Sequence, residues 1–172
     1  MRKYRELKVA YRHSSIKDRI EPVLASSSAD PNIKVLWNHR RVPLSYGHHH
    51  TGYLCAFRGQ PMLRIESALE RRVLRKLADD PSCQALATQP VTFEWTDAGR
   101  MHHYTPDALA LLDNPPAHWA AVGLSDLCLI EVKPLAVTID ANVWDKRRDV
   151  IAASLGLSLV RLPSLQEVCH ES

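Results

Sequence analysis

Leu127-Cys128-Leu129-Ile130-Glu131-Val132-Lys133-Pro134 decides how this chain is read. An apolar run ends by presenting a carboxylate, a valine, an ammonium and a proline. In a β-strand successive side chains face opposite ways, so Cys128, Ile130 and Val132 share one side and Leu129, Glu131 and Lys133 the other. Neither charged group tolerates burial without a partner. Pro134 has no N–H to give to a ladder and stops the strand. On its own the E-x-K spacing reads first as an ion pair on an exposed strand face. Other motifs must give it a further meaning.

Working back from this strand, the chain alternates helix and strand patterns. From Arg64 to Ala78, the residues Ile65, Leu69, Val73 and Leu77 recur at four-residue steps and Ala68 and Leu74 join them, which predicts an amphipathic helix. Asp79-Asp80-Pro81 ends it. Val91 to Trp95 alternates as a strand, Thr96-Asp97-Ala98-Gly99 turns, and Arg100 to Tyr104 returns. Pro106 predicts a bend or bulge beside Asp107 before the apolar run Ala108–Leu112. Beyond the central strand, Asp140 to Leu155 reads as a helix with Gly156 at its C-terminal cap, and Leu157 to Leu162 as a last strand. A strand–helix–strand ending implies a parallel crossover. The expected fold class is α/β: a core of helix, three-stranded segment, helix and strand, with a mixed sheet flanked by helices and a basic N-terminal extension.

The 172 residues suit one domain, with residues 1–36 expected as a partly irregular extension and 37–172 as the core. Within the extension, Lys8 to Ile20 reads as a short helix, Ser26 to Pro31 as a linker and Ile33 to Trp37 as a strand. No apolar run is long enough for a membrane span, and the start, Met1 to Glu6, has no signal-peptide core. A cytoplasmic location is expected, with Cys55, Cys83, Cys128 and Cys169 as thiols and no C-x-x-C zinc pair. The net charge of +3 hides an asymmetry: 14 Lys and Arg against 6 Asp and Glu through Arg72, then 8 against 13. A basic front and an acidic back are the layout expected where one part meets a polyanion and another gathers carboxylates. Tyr46 to Tyr53 reads as a loop. Its His48, His49 and His50 are consecutive and cannot all turn to one ion, so a metal role for them is not favoured.

Four ordered motifs then carry a resemblance. Glu70, Asp107 after Pro106 and Glu131-Val132-Lys133 resemble, in sequence order, the pattern of PD-(D/E)XK nucleases. The four motifs around them are Ser67-Ala68-Leu69-Glu70, Gln89-Pro90, Tyr104-Thr105-Pro106-Asp107 and Glu131-Val132-Lys133-Pro134. They are most similar to the TnsA endonuclease family of heteromeric transposases, over about Trp37 to Glu167. The resemblance implies a restriction-endonuclease-like fold and a metal-dependent endonuclease that hydrolyses phosphodiester bonds at transposon 5′ ends. Implied partners are double-stranded DNA and a separate DDE-type transposase subunit resembling TnsB. The family's usual C-terminal domain, expected to contact an ATPase regulator, is not covered, so that contact is not implied. A stand-alone nuclease of defence or repair, or a non-catalytic DNA- or partner-binding module on the same fold, are the alternatives.

The resemblance also assigns roles. Asp107 becomes the central metal ligand and Glu131 the second, with Glu70 completing the site directly or through water and the Val132 carbonyl contributing from the backbone. The implied cofactor is Mg²⁺, for which Mn²⁺ can substitute, since hard cations take oxygen ligands. Lys133 would orient the attacking water or offset charge on the phosphorane. Two carboxylates 4 Å apart repel by about 4 kcal/mol at an effective dielectric near 20, so gathering them calls for a cation or an ammonium. Glu66 is the competing helix carboxylate; Glu70 is preferred because it fills the S-x-L-E slot. Expected DNA contacts are Arg40, Arg41, Arg58, Arg64, Lys146, Arg147 and Arg148, whose basic side chains would neutralise phosphates, with the neutral Gln89 expected to touch the site or DNA.

Overall fold

The computed structural model describes residues 8–13, 16–25, 30–37, 51–134 and 136–163. In chain order the elements are β1 (Val9–Tyr11), α1 (Lys17–Ala25), β2 (Ile33–Trp37), β3 (Gly52–Leu54), β4 (Leu63–Ile65), α2 (Ala68–Asp79) and β5 (Cys83–Thr88). There follow β6 (Val91–Asp97), β7 (Arg100–Tyr104), β8 (Ala108–Leu112), α3 (Ala117–Ala121), β9 (Leu127–Val132), α4 (Ala141–Leu155) and β10 (Ser158–Leu162). The fold is mixed α/β, as the sequence pattern led one to expect.

A five-stranded sheet of order β1-β5-β8-β9-β10 forms the middle layer. Its neighbours are antiparallel except β9 and β10, which run parallel. A parallel pair needs a long crossover, and the 15 residues of α4 supply it. Asp140 caps this helix by accepting from the Val143 N–H, and Gly156 takes the left-handed conformation that ends it. Both edges of β9 are paired within the sheet, and both of its faces are covered. Cys128, Ile130 and Val132 pack with Val73, Leu74 and Leu77 of α2 and with Leu54, Leu63 and Ile65 of the β3–β4 hairpin. Leu129 turns the other way, to Val150 and Ile151 of α4 and to Phe93, Trp95 and Tyr104. Fully burying each such aliphatic side chain contributes roughly 1.5–3 kcal/mol.

Phe93, Trp95 and Tyr104 belong to a second, antiparallel sheet of order β2-β6-β7. The three-stranded segment expected after α2 is therefore divided: β6 and β7 stay in this sheet, while β8 and β9 lie in the main one. Thr105-Pro106-Asp107 is the crossing between them. Pro106 brings no N–H that would need a ladder partner, and the Thr105 hydroxyl is pinned to the Thr92 hydroxyl at 2.8 Å.

Several boundaries differ from expectation. The helix predicted from Arg64 begins at Ala68, because Leu63–Ile65 pairs with Gly52–Leu54 as β4 and Ser67 caps the helix. The short helix predicted over Lys8–Ile20 is instead strand β1, antiparallel to β5, followed by α1 with Pro22 inside it. The described part of the expected extension thus contributes β1 to the main sheet and β2 to the second; Ile33–Trp37 is a strand as predicted. Strand β5 was not anticipated. The histidine run 48–50 and residues 26–29 of the linker lie outside the described residues. Among the described residues no helix is long and apolar enough to cross a membrane.

Candidate active site

Ala108 of β8 stands opposite Ile130 of β9. One residue outward, this antiparallel register brings Asp107 opposite Glu131, at the mouth of the crossing. Both carboxylates are buried, each 5% exposed. Asp107 Oδ2 accepts the Val132 N–H at 2.7 Å, and Glu131 Oε2 accepts the Tyr104 hydroxyl at 2.8 Å. Lys133 reaches over both, its Nζ 3.4 Å from Glu131 Oε1 and 4.0 Å from Asp107 Oδ2. The backbone reinforces the corner: the Gln89 N–H donates to the Asp107 carbonyl at 2.8 Å.

Two buried acids beside one ammonium leave negative charge in excess. Burial first, and the Glu131 charge second, push the Asp107 carboxyl up to about 7, against the pull of the Val132 N–H and Lys133. Burial by itself would lower the Lys133 ammonium, but Asp107 and Glu131 outweigh it and the group is raised. The Tyr104 phenol is raised far above its usual range by burial and then by Glu131, so it stays a proton donor to that carboxylate.

These groups open into a pocket of about 370 Å³ lined by Glu66, His103, Tyr104, Thr105, Asp107, Glu131, Lys133 and Arg147. Glu70 is not among them. Its carboxylate turns to its own helix start, accepting the Glu66 N–H at 2.9 Å and the Ser67 hydroxyl at 3.2 Å, while the Glu70 N–H donates back to Ser67 Oγ. Burial raises its carboxyl in spite of these bonds. It still feels the Asp107 and Lys133 charges. The structure thus brings Asp107, Glu131 and Lys133 together and sets Glu70 behind them, with Glu66 on the pocket wall instead. The reason is local: S-x-x-E is also a capping pattern, and here the cap holds the carboxylate.

Of the expected DNA contacts, Arg147 alone lines this pocket, with its guanidinium 4.3 Å from the centre of the Tyr104 ring. Lys146 lies 3.8 Å from Asp97, and Arg148 3.8 Å from Asp145. Arg58 is exposed and Arg64 half-buried on β4; neither lines the pocket. Gln89 is 6% exposed with a left-handed backbone, φ 47°, and its Nε2 has no hydrogen-bond partner among the described residues. Arg40 and Arg41 lie outside the described residues. Tyr104, His103 and Thr105 were not singled out as site residues from the sequence. The available signal was the Y-T-P-D motif itself, whose first residue ends β7 and holds Glu131.

Among the described residues no three His, Cys, Asp or Glu side chains form a ready metal-holding group. The donor set nevertheless fits a hard cation of the magnesium type, which is held by one or two carboxylates and otherwise keeps water or takes substrate phosphate. Asp107 and Glu131 are such carboxylates. The Val132 carbonyl would join them, because its N–H already points to Asp107 and a strand residue's N–H and C=O leave the same edge. No protein-family model matches the chain, and no curated protein matches it.

Proposed function

We propose that the chain is a divalent-cation-dependent DNA endonuclease of the PD-(D/E)XK type, resembling the TnsA subunit that works beside a DDE-type transposase. The observation that carries this reading is the convergence of Asp107, Glu131 and Lys133 on one open pocket. Two acids from adjacent strands and one amine are what phosphodiester hydrolysis asks of a site. The mixed sheet with helices packed on both faces is compatible with a restriction-endonuclease-like core.

In this reading Asp107, Glu131 and the Val132 carbonyl hold Mg²⁺ or Mn²⁺. When bound, the cation polarises the phosphate oxygens and lowers the pKa of water. Val132 and Tyr104 keep the two carboxylates in place by donating to Asp107 Oδ2 and Glu131 Oε2, which would leave the other oxygen of each free for the cation. Lys133 orients the attacking water and offsets negative charge as it grows on the phosphorus oxygens. Glu70 acts from behind, through its field and by fixing the start of α2. The exposed Arg58 is available to neutralise a DNA phosphate outside the pocket.

The test is nicking of supercoiled DNA with Mg²⁺ or Mn²⁺, using the purified chain together with a cognate transposase. Asp107→Ala and Lys133→Ala are expected to lower the rate at least about a hundredfold while keeping the wild-type circular dichroism spectrum. Cutting by Asp107→Ala at the wild-type rate would remove the site assignment.

A further inference from the structure

Lys146, Arg147 and Arg148 look equivalent in the sequence and are not equivalent in the fold. Successive helix residues turn by about 100°, so three in a row face three directions. Lys146 and Arg148 each have a carboxylate within ion-pair distance, on the outside of α4. Arg147 lies on the inner stripe of α4, three and four residues before the buried Val150 and Ile151. An apolar residue is the ordinary occupant there. Among the described residues no carboxylate pairs with Arg147; its guanidinium lies over the Tyr104 ring and lines the pocket that holds Asp107, Glu131 and Lys133. A guanidinium seated on an aromatic ring keeps N–H donors for a ligand, and its fork matches phosphate.

Tyr104 therefore has two tasks. Its hydroxyl holds Glu131 Oε2 and its ring seats Arg147. We propose that Arg147 binds the non-bridging oxygens of the nucleic-acid phosphodiester that enters this pocket, and that Tyr104 is the positioning residue coupling that contact to Glu131. The proposal rests on the nuclease reading for the identity of the phosphodiester. It separates Arg147 from its two basic neighbours as the phosphate contact inside the pocket, and ties that contact to Glu131 through Tyr104.

The experiment measures binding of a short DNA duplex by the full chain in Ca²⁺, a hard cation that takes the same oxygen ligands, over a series of salt concentrations. Mn²⁺ affinity is measured separately by calorimetry without DNA. Arg147→Ala is expected to weaken duplex binding about tenfold. It should also flatten the slope of log K against log salt by about 0.9, the signature of one lost phosphate contact. Arg147→Lys should restore part of that slope. Arg19→Ala removes the same charge from an exposed position on α1, outside the pocket, and should leave the slope as in the wild type.

Tyr104→Phe keeps the ring and loses the hydroxyl, so Mn²⁺ affinity should fall while the salt slope holds. Tyr104→Leu should lose both. Arg147→Ala behaving like Arg19→Ala, Tyr104→Leu keeping the wild-type slope, or a wild-type chain that does not bind the duplex would each overturn the proposal. If the slope changes but no form of the protein ever cuts DNA, the phosphate contact stands and the hydrolytic reading falls. If DNA is cut and the slope does not move, the proposal falls and the hydrolytic reading stands.

Discussion

Asp107 is a carboxyl group under opposing demands: it is buried, faces another acid, and is offset by one N–H and one ammonium. Its folded-state pKa, about 7, lies above the unfolded value near 3.8. The folded protein therefore disfavours the ionised form. The penalty is absent below about pH 4, grows as the pH rises, and is complete once the pH has passed about 7. In metal-free buffer, Asp107→Asn should thus be more stable than the wild type at pH 8, by up to about 4 kcal/mol, the free energy that corresponds to the rise from 3.8 to about 7. The gap should close towards pH 4. A thermal-denaturation series checks this, and an equal gap at both ends of the range would mean that Asp107 is not the group responsible. Part of this residue's setting was implied beforehand by the family resemblance, which put Glu70, Asp107, Glu131 and Lys133 together; the structure joins the last three around one pocket. The Tyr104 bond to Glu131 was not legible, because nothing in the spacing says which way a residue at a strand end turns when the chain changes sheets.

At the scale of single elements, α2 shows how one pattern can serve two ends. Ser67-Ala68-Leu69-Glu70 fits both a nuclease motif and a helix cap, and sequence cannot say which use the carboxylate serves. Here Ser67 and Glu70 bond reciprocally and Glu70 also takes the Glu66 N–H. Ser67→Ala should cost about 0.5–2 kcal/mol in chemical denaturation, since it removes the cap and one partner of a buried carboxylate. A denaturation midpoint unchanged from the wild type would show that the cap does not stabilise α2. The same scale explains the overlooked strand. Cys83-Gln84-Ala85-Leu86-Ala87-Thr88 is rich in alanine, which favours helices in isolation. It is a strand because β1 and β8 pair with both its edges, and its small side chains let helices and hairpin pack close. Leu127–Val132 was readable because it is inside the sheet, with a different apolar layer on each face.

Across the whole molecule, the basic front and the acidic back are not separate bodies. β1 pairs with β5, β2 pairs with β6, and Arg12 ties the front of the chain to the end of α2. Its guanidinium donates to the carbonyls of Ala78 at 2.8 Å, Asp80 at 2.7 Å and Cys83 at 2.9 Å, and lies over the Phe57 ring. Arg12→Ala should destabilise the whole fold by about 1.5–3 kcal/mol, because charge-assisted bonds to carbonyls at a helix end are lost together. Equilibrium unfolding followed at once by fluorescence and circular dichroism would read this as one shifted transition. A separate early transition would contradict the integration of the front segment into the core. A partly irregular extension was expected because the serine-rich stretch before Pro31 reads as a linker. A linker-like composition says nothing about the short strands on either side of it, which here join both sheets.

The site and the fold meet in one property: a corner of the main sheet where two buried acids face each other beside one ammonium, the place where the proposed function would put a divalent cation. Calorimetric titration of the chain with Mn²⁺ at pH 8 reads that property without requiring a substrate or a partner. The expected result is binding that disappears in Asp107→Ala, with affinity in the wild type falling as the pH drops below about 7, where protons compete for Asp107. Absence of binding by the wild type, or the same binding curve from Asp107→Ala, would contradict it.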